Sequence, residues 1–289
     1  MLQVILKRIA IAIPVILIVA SLTFFLVRMA PGGPFDAEKV VPPQVMKNLN
    51  AVYNLDAPLI IQYRDYMLNL VQGDFGPSFR YPGRSVTEMI FTGLPVTFEL
   101  AFYAIIVAMI IGSLAGVIAA VKRNTLLDYV PMTIAMIGIC MPTFLLGPLL
   151  VLYFGIYLEA LPVSGWDSLP GDKILPSITL GAAYAAYIAR LSRGGMLETL
   201  SEDYIRTARA KGASEASVLW NHVFRNSLLP LITITAGIIP GLLVGSVVVE
   251  SIFSIDGMGR LVVDSVMVRD REVVLSITLI ISILTLISF

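Results

Sequence analysis

One cysteine and one histidine, Cys140 and His222, are all that 289 residues offer, so neither a disulfide framework nor a Cys/His metal site can be assembled. Cys140 is expected to be a small buried packing group, and His222 a surface or packing residue. Charge is scarce as well: Asp, Glu, Lys and Arg make up 14% of the chain, and its 20 basic residues balance 20 acidic ones. Zero net charge removes any global electrostatic case for nucleic acid or an acidic substrate, so functional charge has to be local. No phosphate-cradling G-x-x-x-x-G-K-[ST] loop occurs, nor HExxH, nor GxSxG, nor a lipidation box. The chain is therefore expected to bind no cofactor and to carry no catalytic centre, and if it takes part in a powered process, the fuel is burned by another subunit.

What is abundant is apolar surface. The chain is 57% hydrophobic with a mean hydropathy of +0.87, far outside the range of soluble domains. Six stretches approach the roughly 20 apolar residues that cross a bilayer: 9–29, 95–120, 130–158, 174–191, 229–249 and 273–289. Alternating strand patterns are absent, so the expected fold is an all-α, six-span membrane bundle. The first run follows Lys7 and Arg8 but is too long for a signal peptide and lacks a cleavage site, which predicts an uncleaved span. Pro95, Pro131, Pro176 and Pro230 stand at or near expected helix starts, while Pro14, Pro142, Pro148 and Pro240 fall inside spans and predict bends. The last span stops at Phe289 without a basic anchor, so a few C-terminal residues are expected to be missing.

Lysines and arginines of the short loops set the orientation. Lys7, Arg8, Lys122, Arg123, Arg190, Arg193, Arg206, Arg209, Lys211 and Arg225 fall on alternate segments. The opposite loops carry fewer, offset by Asp and Glu. Both termini are thus expected in the cytoplasm, and residues 30–93 form an extracytoplasmic insert between the first span (1–29) and a core of five spans (94–289). Within the insert, Asp56 and Pro58 ahead of Gly73 bracket a helix near 57–72. Ile60, Tyr63, Met67, Leu70 and Val71 share one face of it, which predicts an amphipathic collar at the membrane interface or on the outer ends of the bundle. Gly112 and Gly116, and Gly237, Gly241 and Gly245, recur every fourth position, a spacing that lets helix backbones approach closely.

Ionisable groups near the bilayer centre usually mark ion or proton pathways. Only Arg28, Glu99 and Glu250 come close, each near a span end, so a proton-coupled transporter is disfavoured; an intramembrane enzyme lacks a catalytic constellation. Glu250, at the end of a glycine-spaced helix beside Asp256, Gly257 and Gly259, is a candidate for an external gate.

The segment TLSEDYIRTARAKGASEASVLWNHVFRNSLLP, residues 199–230, lies in the largest inner loop (192–228). It predicts two short helices: Thr199 or Ser201 capping the first, Gly212 stopping it in a left-handed conformation, and Ser214 capping the second with Glu215 in its first turn. The ARAKG turn followed by H-x-x-x-N and a proline resembles the coupling loop of ABC importer permeases of the binding-protein-dependent, type I group. In the wider family the motif opens Glu-Ala-Ala; the matching positions are Arg206, Thr207 and Ala208, as in the peptide branch. RMAPGGPFD, NLDAPLIIQY, GDFGPSF, ESIFSIDGMGRL and VRDREVV extend the resemblance to B-type permeases of oligopeptide importers over nearly the whole chain. The resemblance implies coupling contacts through Arg206, Thr207, Ala208, Lys211, Gly212, Ala213 and Glu215. It also implies a homologous second permease, two ATPase subunits holding ATP and Mg²⁺, and an extracytoplasmic peptide-binding protein, in a bacterial inner membrane. Dipeptides, glutathione or metal chelates remain alternative cargoes within the same family.

Overall fold

A computed structural model describes residues 2–29, 55–81 and 83–288. RMAPGGPFD from Ala30 onward and most of NLDAPLIIQY's lead-in lie outside the described residues. The chain divides into two compact units, one of Met1–Val96 with Asp256–Ile287, the other of Thr97–Ile255 with Ser288–Phe289. Among the described residues five helices are long and apolar enough to cross a membrane, and six spans result if one bent pair counts as a span.

In the first unit, α1 (Leu2–Met29) runs through Pro14 without ending. The insert helix α2 (Leu59–Val71) follows Pro58 and stops at Gly73, whose φ of +75° is the left-handed conformation expected there. Of the face expected to pack, Tyr63 does so but Ile60 and Val71 do not. Ile60 and Val71 are 69% and 85% exposed, while the side turned to α1 is aromatic and polar. The Tyr63 hydroxyl is 2.6 Å from Ser21 Oγ, Arg28 Nε donates to Gln62 Oε1 at 3.1 Å, and Phe24 lies 5.3 Å from the rings of both Tyr63 and Tyr66. Ser21, Phe24 and Arg28 recur at helical spacing on α1 and present a stripe that phenols and an amide satisfy better than alkyl chains do.

The long helix α3 (Val86–Val121) begins well before Pro95, which sits inside it rather than at its start. The extension has a packing cause: Val86, Met89 and Ile90 are buried against Met258, Val273 and Ile277. The last two elements of this unit are α10 (Met258–Met267), a short helix where only a turn was expected, and α11 (Arg271–Ser288). Fully buried Asp270, just ahead of α11, accepts from Ser78 Oγ (2.5 Å) and from the amides of Phe79 (3.3 Å) and Arg80 (3.2 Å), which ties the segment before α3 to the last helix.

The second unit holds the rest of α3, α4 (Leu126–Cys140), α5 (Thr143–Leu150, continuing with π-helical turns over Val151–Tyr157), α6 (Ile174–Leu200), the loop helices and α9 (Arg225–Phe253). The third expected span, 130–158, is not one helix: α4 and α5 meet at 112°. Met141 is extended (φ −86°, ψ 115°), as a residue before proline prefers, and Pro142 opens α5 without an N–H to give up. Cys140, at the end of α4, is exposed rather than buried. Pro131 and Pro230 likewise lie inside helices, and only Pro176 is in a first turn.

The small-residue stripes separate by role. α6 is central, packing along both α4 and α9. A Cβ added at Gly112 would stand 2.5 Å from the Ala185 carbonyl, and one at Gly116 would stand 2.6 Å from that of Ala189, so α3 and α6 touch backbone to backbone. On α9, Gly241 lies under the Tyr184 phenol, a Cβ added at Gly245 would stand 3.2 Å from Leu180 Cδ1, and Gly237 faces open space. Bidentate bonds of 2.6 and 2.7 Å from Arg193 to buried Asp128 join α6 to the first turn of α4.

Candidate coupling site

The α6–α9 connection builds a knob from α7 (Asp203–Ala210), a turn, and α8 (Glu215–Ser217), which widens into π-helical turns over Val218–Phe224. Thr199 and Ser201 do not cap α7. Their hydroxyls bond back to Gly195 O and Glu198 O, and Glu202 occupies the cap position without a side-chain bond. Asp203 in the first turn and Arg209 in the last complement the helix dipole instead. Gly212 has φ +86°, the Ala213 amide returns to Ala208 O at 3.2 Å, and Ser214 Oγ accepts from the Ser217 amide at 3.3 Å, so the stop and the second cap are as expected.

α7 is strongly two-faced. Ile205 is fully buried with Met196, Ala120, Val218 and Val223, and Ala208 and Ala213 pack against that cluster. Ala208 and Ala213 thus face the knob's interior rather than offering a surface for close approach. Arg206, Thr207, Lys211, Gly212 and Glu215 are exposed. Arg206 touches Asp203 at 3.3 Å in a solvated pair of little energetic weight. Glu215 receives two bonds from Arg209, 2.8 and 3.1 Å, which bridge the two helices across the Gly212 turn. The Arg209 hydrogen bond holds the Glu215 carboxyl below the usual carboxylate range, and Glu215 in turn raises Arg209. Arg209 was not among the expected coupling residues; a partner six positions away across a left-handed turn has no periodic signature. Asn226 Nδ2 donating to the Tyr204 hydroxyl at 2.8 Å ties α7 to the start of α9. The knob is thus an anchored body with a cationic face of Arg206 and Lys211.

The gate candidates fall in both units. Glu250 in α9 is fully buried and accepts from Thr97 Oγ1 at 2.8 Å, so it is a packed carboxylate and not an interfacial charge. In the other unit, exposed Asp256 pairs with Arg260 at 2.9 Å, Gly257 precedes α10, and Gly259 is buried in its first turn. Gly257 has φ −96°, so no left-handed hinge exists there. Among the described residues no group of three or more His, Cys, Asp or Glu side chains could share a metal ion.

Comparison with known proteins decides the family. Residues 112–289 match the binding-protein-dependent transport system inner membrane component, and residues 1–101 match the N-terminal part of the same membrane components. The chain belongs to this family. It is 44% identical over 287 residues to the oligopeptide transport system permease protein OppB of Haemophilus influenzae, covering 99% of this chain and 94% of that protein. Identity to OppB of Escherichia coli K12 is 42%, covering 97% and 92%, and to the dipeptide transport system permease protein DppB of Bacillus subtilis 43%, covering 94% and 88%. In a crystal structure of an amino acid ABC transporter with histidines, a chain 18% identical superposes with a TM-score of 0.54 over 70% of this chain and 90% of that one. The family member described here therefore has the type I importer permease fold and is a multi-pass membrane transport component.

Proposed function

We propose that the chain is the permease subunit of an ATP-driven importer of peptides, oligopeptides in the first instance. The observation that carries this reading is the 44% identity, nearly end to end, to an oligopeptide permease. On this reading the chain pairs with a homologous second permease and receives peptide from an extracytoplasmic binding protein. It rests on two ATPase subunits that hold ATP and Mg²⁺. Both termini are cytoplasmic, so the knob faces the ATPases.

The mechanism needs a body that converts ATPase closure into helix movement. A short helix locked to α6 through Ile205 and to its successor through Arg209 and Glu215 transmits displacement; a tether would absorb it. Arg206 and Lys211 offer charge to an acidic rim, and Thr207 and Gly212 complete the contact face. The alternative of a plain connector is separated by crosslinking. Single cysteines at Thr207 and Lys211, with Cys140→Ser, should each crosslink to the ATPase in the intact complex, and absence at both would remove the coupling role. Uptake in proteoliposomes holding all subunits tests the whole reading. ATP-dependent accumulation of peptides longer than dipeptides is expected; uptake confined to dipeptides would assign the dipeptide cargo, and none of either would overturn the proposal.

A further inference from the structure

The second unit contains an open groove of about 670 Å³, lined by Tyr184, Tyr187 and Arg190 of α6 and by Thr233, Gly237 and Gly241 of α9, with Ile139 of α4 at its edge. The three α6 side chains recur every third residue and so share one face, while the α9 residues recur every fourth and share the face opposite. One wall is thus phenolic and cationic, the other made of small residues flanked by Ile234 and Ile238. Gly237 has no atom within 4 Å of its would-be Cβ, which leaves that wall open, and Gly241 takes the Tyr184 ring. Tyr187, one of the lining residues, is 46% exposed.

Arg190 is the informative residue. Its neighbour one turn on, Arg193, is committed to Asp128 at 2.6 Å, yet no carboxylate among the described residues lies within ion-pair distance of Arg190. The helix runs on to Leu200, so Arg190, counted above with the inner-loop cations, lies within a spanning helix, where ionisable side chains face bundle interiors or aqueous cavities and mark the route of polar cargo. A guanidinium on a cavity wall is built for a carboxylate, which it can engage with two parallel hydrogen bonds. Hydroxyls of Tyr184 and Tyr187 can bond peptide amides whatever the side chains, and the ring faces accept apolar groups without a fixed shape.

We propose that this groove is the chain's wall of the peptide translocation path and that Arg190 holds the carboxylate end of the peptide in transit; the proposal rests on the peptide-import reading. The test uses the full complex, with its second permease, ATPases and binding protein, in proteoliposomes. A transported peptide with a free carboxyl terminus and a diazirine side chain is illuminated during ATP turnover, and its adducts are mapped. Adducts are expected on residues 183–190 and 233–241. Arg190→Gln should lower their yield about tenfold or more, the worth of a charge-assisted hydrogen-bonded pair, while Arg190→Lys retains most of it. Normal uptake with adducts only elsewhere would overturn the path, and an unchanged yield in Arg190→Gln would overturn the carboxylate clamp. Absence of any ATP-dependent uptake by the wild-type complex would sink the import reading itself, a result distinct from both.

Discussion

Gly212 shows how a single residue can be constrained by its backbone alone. A Cβ there would meet nothing within 4 Å, so substitution costs only what φ +86° costs an L residue. That is about 1–2 kcal/mol for alanine and more for a β-branched side chain. Gly212→Val should therefore reduce transport more than Gly212→Ala, and equal transport by both variants would show that the turn is not needed. The glycines of the spans behave oppositely. At Gly116 the added carbon would stand 2.6 Å from backbone, whereas at Gly237 it meets open space. Gly116→Ala should lower thermal stability by about 1–3 kcal/mol through overpacking, while Gly237→Ala should be neutral or stabilising by about 0.5–1 kcal/mol. Thermal unfolding of the purified complex in detergent distinguishes the two, and similar losses at both sites would contradict the packing described. The spacing of these glycines was legible in the sequence. Which of them touched backbone was not, because one stripe pattern serves both a helix crossing and an open groove.

At the scale of elements, two joints hang on carboxylates, Asp128 buried and Glu215 exposed. Asp128 accepts both bonds of Arg193, which is 28% exposed, so Asp128→Asn should lower the unfolding midpoint by weakening a charge-assisted pair. An unfolding midpoint unchanged from wild type would show that the pair is dispensable. The Arg209–Glu215 bridge has a pH signature. Because the folded carboxyl titrates below its ordinary value, the bridge is fully present above the unfolded value of about 4.3 and is lost as pH falls through the lower, folded one. Protease cleavage within 209–215 should stay low down to that range and rise below it. In Glu215→Gln it should already be raised at neutral pH, and a wild-type-like profile in that variant would remove the bridge as a brace. Helix α7 and its left-handed stop were readable from Asp203, Arg209 and Gly212. The start of α3 was not: Pro95 gives a local stop-or-start signal, and burial of Val86, Met89 and Ile90 overrides it.

For the whole molecule, the absent phosphate loop predicts that the chain purified alone hydrolyses no ATP; magnesium-dependent turnover that follows this polypeptide through purification would refute it. Composition and run length determined membrane insertion and helical class, because a bilayer core leaves a greasy chain no other way to satisfy its backbone. Motif order along the chain carried the family, and Pro142 carried the break in the third span. Tertiary structure alone decided which faces meet. It turned α2 to α1 through Tyr66 beside the expected Tyr63 and left Ile60 and Val71 exposed, buried Glu250 beside Thr97, and left Arg190 on a groove wall while Arg193 found Asp128. The reason is physical. Hydropathy measures how much surface a helix wants removed from water, but in a membrane every face of a helix can be apolar, so the choice of partner rests on shape and on polar pairs contributed by residues far apart in sequence.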